Sequence, residues 1–356
     1  MSAAPAIDEV EVSVRDFPTP KPEADGTLQW TKTTAVCVTL RAGGEAGLGW
    51  TYSSSAAAQV VMGELRDAIT GMSALDVGRG FSTMRRACRN IGTRGLVMHA
   101  ISAVDIAWWD LKARLLGASL CDLLGRQRDA VPVYGSGGFV TMTDSELATE
   151  VEHWSELGCT AMKIKIGEGW GSCVERDLTR TMRLRALAGD GVALMVDANG
   201  GYSRGQARRV GKRLDELGVA WFEEPVTSDD TEGLRALRDA LSCDVAAGEY
   251  ATDEAEINSL LPVVDCMQLD VTRCGGYTGW LRGSTLAAAA RMDVSAHCAP
   301  ALHACVAASI PNLRHVELFA DHERIERELV DGVPDVVGGA LVLDTHVRGH
   351  GMQLRT

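Results

Sequence analysis

Asp197, Glu223 and Glu249 stand 26 residues apart, and each closes a short apolar run: VALMVD, VAWFE and DVAAGE. That interval accommodates one strand, one helix and their connecting loops. Parallel strands need a crossover between them, and repeated βα units put the carboxyl end of every strand at one face. The three acids are therefore expected to converge. Three anions held together raise one another's pKa unless a cation neutralises them, and hard oxygen ligands suit Mg2+ better than a soft metal. Taken singly, each acid has an ordinary alternative as a solvated surface group.

The same alternation extends over most of the chain. Strand-like runs fall near 131–135, 160–166, 192–197, 219–223, 244–249, 265–270, 293–297 and 314–319, with helical patterns at 144–157, 174–188, 203–217, 253–261 and 278–291 between most of them. Eight such runs predict an α/β fold, a modified TIM-like (β/α) barrel, with a doubly wound open sheet as the runner-up. Residues 1–128 read differently. Alternating runs at 7–15 and 34–41 predict antiparallel strands joined by a polar, proline-marked loop, and helical periods follow at 56–72, 79–91 and 98–116. The expected organisation is an α+β capping domain over 1–128, a barrel over 129–319 and a C-terminal segment, 320–356, returning to the cap. Trp108 and Trp109 are expected to pack in the core or at an interface.

Charge and cysteine usage narrow the partners. A net charge of -13 with no basic patch argues against nucleic acid and against an anionic membrane surface. The ten cysteines are scattered without a CxxC pair, so reduced core thiols in a soluble cytoplasmic protein are expected rather than a disulfide framework or a zinc site. The first residues lack the pattern of a signal peptide, and LAAAAR is too short to span a bilayer. GEGWGS, from Gly167, has the glycine spacing GxGxG and follows a strand bearing two lysines, so it reads as a strand-to-helix loop rather than a dinucleotide fingerprint.

Other residues carry chemistry only in the barrel context. Lys163 and Lys165 are two apart on a strand and share a face, inward if Met162, Ile164 and Ile166 face the helices. Neighbouring ammonium groups depress each other's pKa, which would make one a usable base. Asp270 and His297 end successive strands. The carboxylate could orient one ring nitrogen and raise the basicity of the other, although a lone histidine in VSAHCA could equally be a core residue. Glu317, at the eighth strand end, faces a crowd of anions and is expected to be protonated. Of the adjacent pair Glu223 and Glu224, even spacing favours Glu223 as the ligand.

With these residues in place the chain resembles the enolase superfamily, specifically its mandelate racemase group. SAVDIAWWDLKARLLG is similar to the family's capping helix, KIKIG to its Lys-x-Lys strand, VDAN and WFEEP to its first two metal segments, and RGHGM to its closing loop. The resemblance implies Mg2+ on Asp197, Glu223 and Glu249, with Lys165 and His297 as bases on opposite faces of a carboxylate substrate. It further implies Lys163 near that carboxylate and Asp270 behind His297. Several neighbouring groups carry a lysine base on the sixth strand; the similar position here is Arg273, a guanidinium that stays protonated.

The implied reaction is abstraction of an α-proton through an enediolate, most simply dehydration of a sugar acid to a 2-keto-3-deoxy acid. Racemisation or epimerisation by Lys165 and His297 is the alternative, and a non-catalytic metal-binding barrel is a remote one. A positioned base supplies about 100 to 10,000-fold, roughly 3 to 5 kcal/mol, whereas enzymes commonly lower barriers by about 8 to 23 kcal/mol. The remainder must come from charge stabilisation and alignment, for which the ion, Lys163 and Glu317 are suitable. Specificity is expected in the cap, at Phe17 to Trp30 and at Trp50 and Tyr52, with Asn199 as a further substrate contact. A small-molecule acid is the expected partner, and a homo-oligomer the expected assembly.

Overall fold

In a computed structural model the described residues are 4–355. Three antiparallel strands, β1 (Glu9–Ala24), β2 (Gln29–Ala42) and β3 (Glu45–Tyr52), form the first sheet in the order β1-β2-β3. The stretch expected as a polar loop is mostly strand. β1 continues to Ala24, and its register against β2 shifts between Pro18 and Glu23. Pro18, Pro20 and Pro22 fall at that irregularity, where an edge strand tolerates missing N–H donors.

The helix Leu96–Leu115 packs directly on this sheet. A Cβ added at Gly47 or Gly49 would overlap backbone atoms of Ala103, Ala107 or Leu111. Strand and helix can approach this closely only because those positions lack side chains. Buried Asp110 locks the contact by accepting from the Leu48 amide at 2.9 Å, the His350 amide at 2.8 Å and Arg114 Nε at 2.8 Å. Trp108 is fully buried, and Trp109 Nε1 donates to Thr278 in the next domain at 2.9 Å.

Eight parallel strands follow: β4 (Ala130–Gly137), β5 (Ala161–Lys165), β6 (Ala193–Asp197), β7 (Val219–Glu223), β8 (Asp244–Ala247), β9 (Cys266–Leu269), β10 (Asp293–Ala296) and β11 (Leu313–Phe319). Each pairs with the next, and β11 pairs with β4, so the sheet closes and the open-sheet alternative is excluded. Short helices Thr231–Arg238 and Pro300–Ala308 supply crossovers absent from the sequence reading. Tyr134, Met195, Trp221, Ala246 and Cys266 fill one layer of the interior.

After Phe319 the chain does two things. The helix Ala320–Leu329 packs on β11 and β4, so the barrel's outer layer runs ten residues past the boundary placed at 319. A hairpin at 336–342 then pairs with the start of β4, and the last residues reach the cap, where His350 Nε2 donates to the Leu48 carbonyl at 2.8 Å. Cys121 and Cys305 form a disulfide with Cα atoms 4.5 Å apart. This corrects the expectation of uniformly reduced thiols; the pair is 184 residues apart in sequence, so spacing could not reveal it. Among the described residues no helix is long and apolar enough to cross a membrane.

The glycine contact in the cap leads to a stability prediction. Gly49→Val should destabilise the protein by at least about 1–3 kcal/mol, the usual cost of overpacking, measured as a lowered urea midpoint. An unchanged midpoint would mean that strand and helix can separate freely.

Candidate active site

The side chains at the carboxyl ends of the strands meet in a cavity of about 270 Å³ beneath the cap. Pairing puts Lys165, Asp197 and Glu223 in one register across β5, β6 and β7, and Lys163 one layer deeper with Met195 and Trp221. Even spacing fails at the third acid: the partner of Glu223 on β8 is Ala246, and Glu249 lies beyond the strand. Gly248 makes the turn with φ of 133°, and a Cβ there would strike Gln268 and Met267. Glu249 is brought back toward the other acids in this way. One carboxylate oxygen from each of Asp197, Glu223 and Glu249 lies within 4.8 Å of the others, and all three residues are buried.

The lysines are held by this anionic group. Lys165 Nζ donates to Asp197 at 2.5 Å, and Lys163 Nζ to Glu223 at 2.7 Å and to Tyr134 at 3.2 Å. Burial alone would lower both lysine pKa values, but the carboxylates outweigh it and hold both well above the ordinary value. This corrects the expectation that mutual repulsion makes one a base in this state. Lys163 is fully buried beneath the cavity and does not line it.

Even so, the acids are not fully compensated. Burial raises the Glu223 pKa well above normal, with Lys163 opposing and Asp197, Glu317 and Glu249 reinforcing. Burial and the neighbouring Glu249 and Asp197 raise Glu224 likewise. Among the described residues, Glu223 Oε1, Glu224 Oε1, Glu249 Oε2 and Asn199 Oδ1 are buried with no hydrogen-bond partner. An all-oxygen set with orphaned lone pairs fits a hard divalent cation such as Mg2+.

On the opposite wall His297 Nδ1 donates to Asp270 Oδ2 at 2.8 Å, while the Thr272 amide and hydroxyl both donate to Asp270 Oδ1 at 2.7 Å. Burial pushes the Asp270 carboxyl up, but the His297 hydrogen bond and Arg273 outweigh it, so it stays ionised. The ring is thereby fixed with Nε2 toward Glu249 Oε2, at 3.2 Å, and Cys298 Sγ, at 3.3 Å. Arg273, beyond the end of β9, lies 3.0 Å from Glu249 and 3.3 Å from Asp270.

Glu317 is not the protonated donor expected. It accepts from Ser136 at 2.6 Å and the Cys298 amide at 2.8 Å, and pairs with Lys163 at 2.8 Å. Burial raises its pKa, but Lys163, His297 and Lys165 carry it well below the ordinary value. The cations around it, invisible from its position in sequence, decide the matter.

Of the expected substrate contacts, Asn199 and Tyr52 line the cavity and Trp50 does not. Trp50 is fully buried one pleat back along β3, edge-on to His350. Sequence reasoning missed Tyr134 and Ser136, although their inward register on β4 could have singled them out, and missed Asp321 and His322, which follow the last strand.

Residues 9–125 match the mandelate racemase / muconate lactonizing enzyme N-terminal domain, and residues 146–356 match the enolase C-terminal domain-like family. The chain belongs to that mandelate racemase and muconate lactonizing enzyme family. It is 31% identical to the L-talarate/galactarate dehydratase of Salmonella typhimurium over 92% of this chain and 85% of that protein. A mandelate racemase/muconate lactonizing enzyme-like protein from Rubrobacter xylanophilus superposes with a TM-score of 0.95 at 42% identity, covering 99% of this chain and 98% of that one. A racemase from Streptomyces coelicolor A3(2), crystallised with bound magnesium, gives 0.92 at 27% identity over 98% and 97%. Relatives are named as a dehydratase, a cycloisomerase and an epimerase, and this chain is an enzyme of that lyase or isomerase class.

The raised pKa values fix the sign of a metal test. In the metal-free folded protein burial shifts Glu223 and Glu224 upward from the ordinary 4.5 of the unfolded chain and so favours their protonated forms; these groups stabilise less as pH rises through their folded values. Binding Mg2+ expels those protons. The Mg2+-induced rise in Tm should therefore be larger at pH 8 than at pH 5 and should vanish in Asp197→Asn. A shift that shrinks with pH would contradict the site.

Proposed function

We propose that this enzyme removes the α-proton of a sugar acid with the help of Mg2+ held by Asp197, Glu223 and Glu249, and dehydrates it to a 2-keto-3-deoxy acid. The observation that carries this reading is the convergence of three buried carboxylates, two of them with an orphaned oxygen, beside a cavity lined by Glu249, Lys165 and the Asp270–His297 pair. When bound, Mg2+ supplies positive charge where the substrate carboxylate becomes more negative.

The chain's own groups do the rest. With Asp197 engaged as a ligand its hold on the Lys165 ammonium would weaken, and burial together with repulsion from Lys163 would then favour the neutral amine, a base for the α-proton. Lys163, fixed between Glu223 and Glu317, acts from beneath as a stationary positive charge. Its neighbours are already bonded, so it costs no reorganisation when charge develops. His297, locked by Asp270, offers only Nε2 to the cavity; as the imidazolium it gives the Nε2 proton to the departing β-hydroxyl, which leaves as water while the ring becomes neutral.

A second reading is epimerisation, favoured by the presence of two basic groups, Lys165 and His297, on one cavity. Proton removal is common to both; they differ in whether the β-hydroxyl leaves.

Incubation with a panel of sugar acids and Mg2+ should give a keto acid detectable with semicarbazide. Lys165→Ala and His297→Asn should each abolish it, and Asp270→Asn should lower kcat by about 100 to 10,000-fold with the fold intact by circular dichroism. Uptake of solvent deuterium at the α-carbon without loss of water would instead establish the epimerase reading.

A further inference from the structure

The cap-facing end of the cavity is built from groups that the chemistry above does not use. His322 lines it, is nearly buried, and stacks on Tyr52 with ring centroids 3.7 Å apart at 27°. Its Nδ1 accepts the Ala299 amide at 3.1 Å, which fixes the proton of the neutral ring on Nε2. Burial lowers its pKa to about 4, so the ring stays neutral at working pH. Nε2 makes no hydrogen bond among the described residues, which leaves one oriented, uncharged donor.

Beside it lies Asp321, only 3% exposed. Its carboxylate accepts from Thr33 Oγ1 at 2.6 Å and from Arg324 at 2.6 Å, so it is held in place with lone pairs to spare. Asp25 adds a second acid to the same wall, where it caps the Thr27 and Leu28 amides of its own turn.

Positive charge is scarce at this end. Among the described residues two lysines and one arginine line the cavity. Lys165 is taken by Asp197, Arg273 by Glu249 and Asp270, and Lys32 by Asp16 at 2.6 Å. A carboxylate entering here would meet Asp321, already paired with Arg324, and Asp25, and would have to draw Lys32 from Asp16 to find a cation, whereas a hydroxyl could donate to Asp321 and accept from His322 Nε2. Hydroxyl groups fit this donor–acceptor pair, and a second anion is repelled by it.

Resting on the sugar-acid reading above, we infer that the substrate is a monocarboxylic sugar acid whose distal end is an uncharged hydroxylated carbon bound by Asp321 and His322. Diacids of the same configuration are rejected at that end.

Matched pairs test this: galactonate with galactarate, gluconate with glucarate, and mannonate with mannarate, each pair differing only at C6. With the Mg2+-loaded enzyme, kcat/KM for the preferred monoacid should exceed that of its diacid by at least 100-fold. Asp321→Asn, which removes the anion and leaves Lys165 and His297 untouched, should cut this ratio at least tenfold. A diacid turned over as well as its monoacid partner overturns the inference and leaves the dehydratase reading standing. If no pair yields keto acid, that reading fails instead, and Mg2+-dependent binding of the same pairs by calorimetry still decides this one. Tighter monoacid binding supports it; tighter diacid binding, equal binding or no binding overturns it.

Discussion

Negative charge buried without enough positive charge is the constraint on which this molecule depends. Asp197, Glu223, Glu224, Glu249, Asp270 and Glu317 are all nearly or fully buried around one cavity, against Lys163, Lys165 and the partly buried Arg273. Moving a carboxylate out of water is expensive unless it is paired and hydrogen-bonded. The chain pairs what it can. Asp270 and Glu317 have hydrogen bonds on both oxygens and remain ionised, while Glu223 and Glu224 keep oxygens with no donor and have their pKa values forced upward. The deficit therefore lies on particular oxygens, beside Asp197 and Glu249. A binding site of this kind stores the cost of desolvation until a cation arrives.

The barrel makes that concentration possible because its geometry is indifferent to what stands at the strand ends. Apolar side chains such as Ile164, Val196, Phe222 and Val245 are fully buried against the helices and supply the core. Inward positions are thus free to carry lysines and acids. Asn199, Glu224, Cys298 and Ala299, which follow β6, β7 and β10, adopt positive φ. Such backbone is disfavoured for residues with a side chain and persists where the surroundings over-determine it. The local cost is borne where functional groups must be aimed.

What the sequence made legible follows from the same division. An apolar run ending in Asp, Glu or His marks a buried strand that delivers one polar group, so β6, β7 and the dyad of Asp270 and His297 could be read from single segments. Features that depend on distant parts of the chain could not. Glu317 was expected to be neutral because only anions were placed near it, yet Lys163, more than 150 positions earlier, sits 2.8 Å away. Trp50 and Tyr52 share a strand face, and only the depth of the cavity separates a core tryptophan from a cavity-lining tyrosine. Cys121 meets Cys305 through the packing of two helices. The continuation of edge strand β1 past residue 15 was hidden by prolines, which read as loop until a bulge accommodates them.

Lys163 shows why burial and catalysis need not conflict. A lysine with no exposed surface is ordinarily a poor arrangement, because it forfeits hydration and gains only what its partners return. Here the partners are Glu223 and Glu317, so its proton is secure and its charge cannot move. Lys165, one layer higher and lining the cavity, has Asp197 as its close partner and Lys163 as its repulsion. Two lysines on one strand thus differ through neighbours alone: the deeper one is held between Glu223 and Glu317, and the upper one lies against Asp197 at the cavity wall. Under the proposed reading, a divalent ion on the acids would draw Asp197 away from Lys165 and weaken the pairing that keeps the amine protonated, which would tie proton abstraction to the ion that stabilises its product.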